Sequence, residues 1–405
     1  RTTQARTGEL NTDLLHKYKH STDLFKKMNI VGKAKSHGMV LFLDMSGSMS
    51  EIFRNTLEQL LVLSSFCKLA NIPFDVYGFS NDEYIPLKSH HSHVGHRDAI
   101  RPLEVEIERV FCRGDYSKYS DNYSIDKDKF IIQENGMTAE TRCGSFHLKH
   151  LLGSSLSPVQ YRRAFNALAI VTNEYNRGRW QRYGGGQDND HGNFQDDWTY
   201  AGLGLNGTPT TYMLLCSRDI IRNFKEKHKV DIVNTIHLTD GEGDGNTLKY
   251  PQDTPFHRYT NGYRNTSDSG IAYLVDKKSK KRVKIDYSTI GRYSGVDPIQ
   301  QAVTKLVADV TGTKQIGFRL VEHRMSKFVF RELLDSVSGA ELESLRKNYR
   351  ENNFMATTTH GYDKFFYIGA SNNNIKDEEL KIDQGMTKAK IASAFKKSQN
   401  GKKSN

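Results

Sequence analysis

One stretch constrains the fold more than any other. Met39-Val40-Leu41-Phe42-Leu43 is an unbroken apolar run that ends in Asp44-Met45-Ser46-Gly47-Ser48-Met49-Ser50, and a helical pattern follows. A strand buried on both faces reads as a continuous apolar run, as in parallel sheets covered by helices on either side. Ligands of open α/β sheets bind just beyond the carboxyl ends of such strands. Asp44, Ser46 and Ser48 therefore stand where this architecture carries its chemistry.

The rest of the chain supplies the partners of that strand. Phe53, Leu57, Leu60, Leu61, Ser64 and Cys67 recur at helical spacing and predict a helix over residues 51–70, stopped by Asn71 and Pro73. Residues 74–80 read as a second strand, with a short edge strand at 84–87. Periodicity then fails, and residues 89–141 form a charged insertion with one strand at 129–133. Tyr161, Phe165, Leu168, Ala169 and Thr172 predict a helix over 158–175, followed by a loop rich in Gly, Asp and Asn to residue 200. A helix from about Thr210 to Lys227 follows, and then a buried strand over 230–239 that ends in Asp240-Gly241. Residues 243–312 read as a second polar insertion, and 315–321 and 365–368 complete the sheet.

Flanking these is a polar, basic strap over residues 1–36, in which Thr22-Asp23 predicts the cap of a short helix running to Met28. A basic segment over 376–405 predicts a helix over 387–397 and then a solvated tail. The domain plan is thus a strap (1–36), one domain (37–375) with insertions at about 89–141 and 243–312, and a basic tail (376–405). The first residue is Arg1, so the chain reads as a fragment or processed form whose targeting information is out of view.

Composition agrees with an ordinary core wrapped in polar insertions. Hydrophobic residues make up 37% of the chain, and the mean hydropathy is −0.65. No run approaches the roughly 20 apolar residues that a membrane helix needs, so no membrane partner is expected. Cys67, Cys112, Cys143 and Cys216 are widely spaced with no C-x-x-C pair, which argues against a zinc ribbon and for free thiols in a reducing cytoplasm. An excess of 58 Lys and Arg over 47 Asp and Glu gives +11, a surface suited to acidic partners. The lysine-rich tail leaves nucleic acid as a lesser alternative, because no nucleic-acid recognition motif is present.

Three loops carry unusual chemistry: Asp44, Ser46 and Ser48 after a strand, Thr208 before a helix, and Asp240 after another strand. Hydroxyls and carboxylates converging on one sheet edge make an oxygen-only site, which suits a hard cation such as Mg²⁺, with Mn²⁺ or Ca²⁺ as alternatives. The alternate spacing of Asp44, Ser46 and Ser48 lets a turning loop aim all three side chains inward. Gly47 and Gly207 permit the tight backbone this requires.

D-x-S-x-S after an apolar strand, a distal G-T and a later T-D-G together resemble the von Willebrand factor A (VWA) domain and its metal-ion-dependent adhesion site. The resemblance implies an α/β, Rossmann-like fold with an open, mostly parallel central sheet flanked by helices, here carrying the two long polar insertions. It implies that Ser46, Ser48 and Thr208 contact the ion directly, with Thr210 an alternative to Thr208, while Asp44 and Asp240 act through bound water. Thr7-Gly8-Glu9-Leu10-Asn11 together with the S-G-S-M form is similar to the VWA subunit of cobaltochelatase and to VWA proteins of large tailed phages. The implied function is metal-dependent protein binding: a partner Asp or Glu completes the ion's shell, and the partner is an AAA+ ATPase or its client. Insertion of metal into a tetrapyrrole, as a non-catalytic subunit, and a structural or assembly role in a phage particle are the alternatives.

The remaining motifs carry less. Asp44 as a phosphoryl-accepting nucleophile would want a second acid where Ser46 stands. His90, His91, His93 and His96 read as a solvated loop, H-E-x-x-H is absent, and no G-x-x-x-x-G-K-[ST] occurs. Gly202-x-Gly204-x-x-Gly207 lacks the preceding apolar strand of a dinucleotide site and reads as the approach to Thr208.

Overall fold

The computed structural model describes residues 4–10, 25–29, 36–81, 110, 130–134, 137–142, 146–183, 205, 207–241, 243, 247–249, 272–285, 297–321, 326–333 and 337–369. A hairpin comes first, β1 (Gln4–Leu10) pairing antiparallel with β2 (Phe25–Asn29). The helix expected over 22–28 is therefore corrected: the described part of that span is strand, and backbone pairing with β1 outweighs weak local helical signals.

β3 (His37–Asp44) is buried at every residue. Met39, Leu41 and Leu43 enter one core cluster and Val40 and Phe42 another, so both faces are covered, as the continuous apolar run requires. Each such side chain contributes roughly 1.5–3 kcal/mol relative to exposure. A 3-10 turn (Gly47–Glu51) leads into α1 (Phe53–Leu69), whose buried stripe contains all six residues anticipated from the spacing. α1 ends at Asn71, which takes the left-handed conformation (φ 55°), and Pro73 follows.

β4 (Phe74–Ser80) pairs parallel with β3. β5 (Phe130–Glu134) falls where the sequence places the strand of the first insertion, and β6 (Met137–Arg142) pairs antiparallel with it. β7 (His147–Gly153) is an antiparallel edge beside β4. α2 (Pro158–Tyr183) runs past residue 175, where the sequence puts its end, because Asn176 and Gly178 lower helix propensity without breaking the hydrogen-bond ladder. α3 (Thr210–His228) and β8 (Ile232–Leu238) lie where expected.

The second insertion is more ordered than its composition predicts. It supplies β9 (Thr247–Lys249), β10 (Ala272–Asp276), β11 (Arg282–Ile285) and α4 (Pro298–Thr311). α4 has a complete set of end signals. Asp297 caps it by accepting from the Ile299 and Gln300 amides, Pro298 opens its first turn, and Gly312 closes it at φ 66°. The span that reads from the sequence as a polar insertion thus carries three strands and a helix. β12 (Lys314–Val321), α5 (Ser326–Leu333), α6 (Gly339–Asn352), β13 (Phe354–Thr357) and β14 (Lys364–Gly369) complete the described chain.

The main sheet has the order β13-β14-β12-β8-β3-β4-β7. Its five central strands are parallel, and only the two edges, β13 and β7, run against them. α1 and α2 cover one face, through Leu57, Leu60, Ala164 and Leu168. α3 and α4 cover the other, through Met213, Ile220, Val303 and Leu306. The fold is thus α/β with a mostly parallel, mixed seven-stranded sheet between helices.

The two insertions meet in a second, antiparallel sheet of order β11-β10-β5-β6-β9. Burial alternates along β10 and β11, and Ala272, Leu274, Val283 and Ile285 join the cluster built on α3 and α4. The sheet is therefore stacked outside that helical layer. No helix among the described residues is long and apolar enough to cross a membrane. The edge strand expected at 84–87, the histidines at 90–96, the loop at 184–200, Gly202, Gly204 and the helix expected over 387–397 lie outside the described residues.

Candidate metal centre

β3 and β8 are parallel neighbours with Leu43 opposite Leu238, so Asp44 and Thr239 leave the sheet side by side, with Asp240 one residue further on. Asp44 is fully buried and Asp240 is 3% exposed. Thr239 Oγ1 donates to Asp44 Oδ2 at 2.8 Å and accepts from the Gly241 amide at 3.0 Å, fastening the two loops together. The other oxygen, Asp44 Oδ1, is buried without a hydrogen-bond partner. Burial and the neighbouring Asp240 charge push the Asp44 carboxyl well above the usual aspartate range, and hydrogen bonds from Thr239 and Ser46 offset this only in part.

The hydroxyls follow directly. Ser46 is buried, Ser48 is exposed, and their Oγ atoms lie 3.0 Å apart. The Met45 amide still pairs with the Phe79 carbonyl, and the Met49 amide bonds back to the Ser46 carbonyl, so the loop turns between them. Thr208 is buried in the turn before α3, where the Thr210 amide donates to its carbonyl at 2.8 Å. The Gly207 amide donates to Asn81 Oδ1, just past β4. On its other side the turn meets the T-D-G loop, since a Cβ on Gly243 would lie 3.3 Å from Thr210 Cβ. Thr210 Oγ1 is itself buried without a hydrogen-bond partner. The loops after β3, β4 and β8 and the start of α3 thus share one sheet edge, and exposed Ser48 marks its open side.

Behind Asp240 stands a wall that sequence reasoning did not name. Arg319 Nη1 donates to the Asp240 carbonyl at 3.1 Å, and Gln300 Nε2 donates to the Gly241 carbonyl at 3.1 Å. Gly241 has φ +92°, and a Cβ there would lie 2.8 Å from His360 Nε2, so a glycine is required twice over. Burial lowers the His360 pKa to about 3, assisted by the Arg319 charge. Tyr362 is buried too, and its phenol is raised by burial and then by the charges of Asp44 and Asp240. His237, stacked on Phe42 at 5.3 Å with the Tyr362 ring tilted against it at 5.1 Å, is lowered to about 4 by burial despite its bond to Gln315 Oε1. Of the residues in this wall only Gly241 stood in a motif visible in the sequence, the T-D-G turn.

The oxygens that could serve a cation at this edge are two carboxylates and the hydroxyls of Ser46, Ser48, Thr208 and Thr210. Among the described residues, no group of three or more His, Cys, Asp or Glu side chains is arranged so that it could hold a metal ion. Cys67 and Cys216 are buried, and burial pushes the Cys67 thiol up to about 12, far from a reactive thiolate.

No protein-family model and no curated protein sequence matches the chain. Among solved structures, the pilus adhesin SpaC from Lactobacillus rhamnosus GG, in its open conformation, aligns over 91% of this chain at 12% identity and a TM-score of 0.30. The chain spans 30% of that adhesin's length. A likeness of that size carries no argument about fold or function.

Proposed function

We propose that the chain is a VWA-type, metal-dependent protein-interaction module, with Asp44, Ser46, Ser48, Thr208 and Asp240 holding one Mg²⁺. The observation that supports this most is the pairing of Asp44 with Asp240. Two buried carboxylates stand at the ends of neighbouring strands, Asp44 has an unpartnered oxygen, and burial together with the Asp240 charge makes ionisation of Asp44 costly without a cation. Neutral hydroxyls make up the rest of the set, so a bound divalent ion would keep enough charge to attract an anionic ligand.

The roles of the chain's own residues follow. Ser46, Ser48 and Thr208 offer hydroxyl oxygens to the ion. Asp44 and Asp240 balance its charge, and Thr239 holds Asp44 in register. Thr210 stands in the same turn as a substitute for Thr208. A carboxylate from a partner protein enters on the Ser48 side, and the partner is an AAA+ ATPase or its client.

Two measurements test the two parts separately. Titration calorimetry of Mg²⁺ into EDTA-treated protein should give a single site, lost in Asp44→Asn and Asp240→Asn variants whose circular dichroism is unchanged. Unaltered Mg²⁺ affinity in both variants overturns the metal centre. Capture from the native host should then yield an AAA+ ATPase in Mg²⁺ and none in EDTA. Capture that is insensitive to EDTA overturns the partner reading and leaves the metal result standing.

A further inference from the structure

The β10–β11 hairpin concentrates positive charge as nothing else described in the chain does. Lys277, Lys278, Lys280, Lys281, Arg282 and Lys284 fill six of the eight positions from 277 to 284, with only Ser279 and Val283 between them. Lys278, Lys280, Lys281, Arg282 and Lys284 are exposed and Lys277 is half-buried. Among the described residues none of them is joined to a carboxylate. Lys281 donates instead to the Asp309 carbonyl near the end of α4, and Arg282 lies over the Tyr273 ring at 5.3 Å.

The array is held rigidly. Asp276 accepts from the Ser279 amide at 2.8 Å, its own amide donates to the Lys281 carbonyl, and the Lys280 amide donates to its carbonyl. Arg218 of α3 clamps the Asp276 carboxylate at 2.9 Å in a buried ion pair. Burial pushes that carboxyl up, but the Ser279 hydrogen bonds and Arg218 outweigh it and hold it below the usual aspartate value. Lys280 takes the left-handed conformation at φ 60°. Glycine or asparagine would occupy that position at less cost.

Protection of a sheet edge explains part of the charge, because β11 is the edge strand and lysines discourage edge pairing. That accounts for Arg282 and Lys284 but not for Lys277, Lys278 and Lys280, which stand in the turn. A protein partner would want buried apolar anchors, and the exposed positions of this hairpin offer almost none. A phosphate backbone needs only closely spaced cations, because release of condensed counterions drives its binding. We propose that the β10–β11 hairpin is a docking surface for the phosphodiester backbone of duplex nucleic acid, bound without regard to sequence. This surface is independent of the metal centre.

The test is fluorescence anisotropy of the full chain with labelled DNA and RNA duplexes of mixed sequence, over a salt series from about 0.05 to about 0.2 M. The variant is Lys278→Gln/Lys280→Asn/Lys284→Gln, with asparagine chosen because it tolerates the left-handed turn. The control is Arg162→Gln/Arg163→Gln/Lys225→Gln, which removes the same charge from exposed positions on α2 and α3. If the three hairpin lysines each neutralise a phosphate, the salt slope falls by about 2.7 and affinity near 0.1 M weakens by up to about 500-fold. The control should change neither by more than a small fraction of this. The DNA and RNA arms show which duplex is favoured. Absence of binding at the lowest salt overturns the proposal. So does equal loss in both variants, or equally tight binding to polyglutamate or to anionic vesicles. Thermal melts of both variants guard against misfolding, and a variant that melts early is replaced by the single Lys278→Gln, expected to weaken binding up to about eightfold.

Discussion

Replacing Arg218 by methionine should expose how the second sheet is tied to the main fold. The guanidinium is 5% exposed and the Asp276 carboxylate fully buried, 2.9 Å apart. Methionine keeps most of the aliphatic volume, so the change is chiefly electrostatic. It leaves a buried carboxylate with backbone donors but no counter-charge, and breaking such a pair from one side costs roughly 3–5 kcal/mol. Natural proteins hold about 5–15 kcal/mol in all, so this loss is a large part of the total. Asp276→Asn in the same background removes the stranded charge and should recover most of it, because an amide still accepts from Ser279. Urea unfolding followed by circular dichroism gives the free energies, and amide exchange at residues 272–285 locates the loosening. A cost below about 1 kcal/mol for Arg218→Met, the size of an exposed pair, refutes the reasoning. So does an Asp276→Asn variant that recovers nothing.

Other outcomes follow from the centre and its wall. With Mg²⁺ at about a hundred times its dissociation constant, unfolding free energy should rise by about 2.7 kcal/mol in the native chain. In Asp44→Asn that rise should vanish, while stability in EDTA should hold or improve because the carboxylate pair is relieved. Gly241→Ala forces a Cβ against His360 at φ +92° and should cost roughly 1–3 kcal/mol, with a matching fall in Mg²⁺ affinity, checked by the same melts. The pH dependence has a definite sign. His237 has its pKa lowered to about 4, so below its ordinary 6.5 the unfolded chain takes up a proton that the native one refuses. Stability from this group is therefore full above pH 6.5 and lost as pH falls towards 4, by about 2 kcal/mol near pH 5. His237→Gln should flatten that limb of a stability–pH curve measured in urea.

The elements legible in the sequence are those whose cause is local. β3 announces itself because both faces are buried, and α1 because its apolar residues return every three to four positions. β7 does not, since His147, Lys149 and His150 break any apolar run. Lys149 is nonetheless buried, and His150 sits 3.3 Å from Asp75 across the strand pair, a contact that exists only once the sheet has formed. α4 was readable in principle from Asp297-Pro298 and Gly312, but it follows a long polar stretch that conceals its periodicity. The candidate centre divides the same way. Its candidate oxygen donors lie in short motifs at strand ends and before a helix, where composition and spacing reveal them. Arg319, Gln300, His360 and Tyr362 come from β12, α4 and the turn before β14, and no spacing rule links them to Asp240. The two halves also do different things. The donors decide whether an ion can be held, whereas the wall fixes the backbone of the loop that carries Asp240. Substitution in the wall should therefore shift affinity through geometry, and substitution of a donor should remove it.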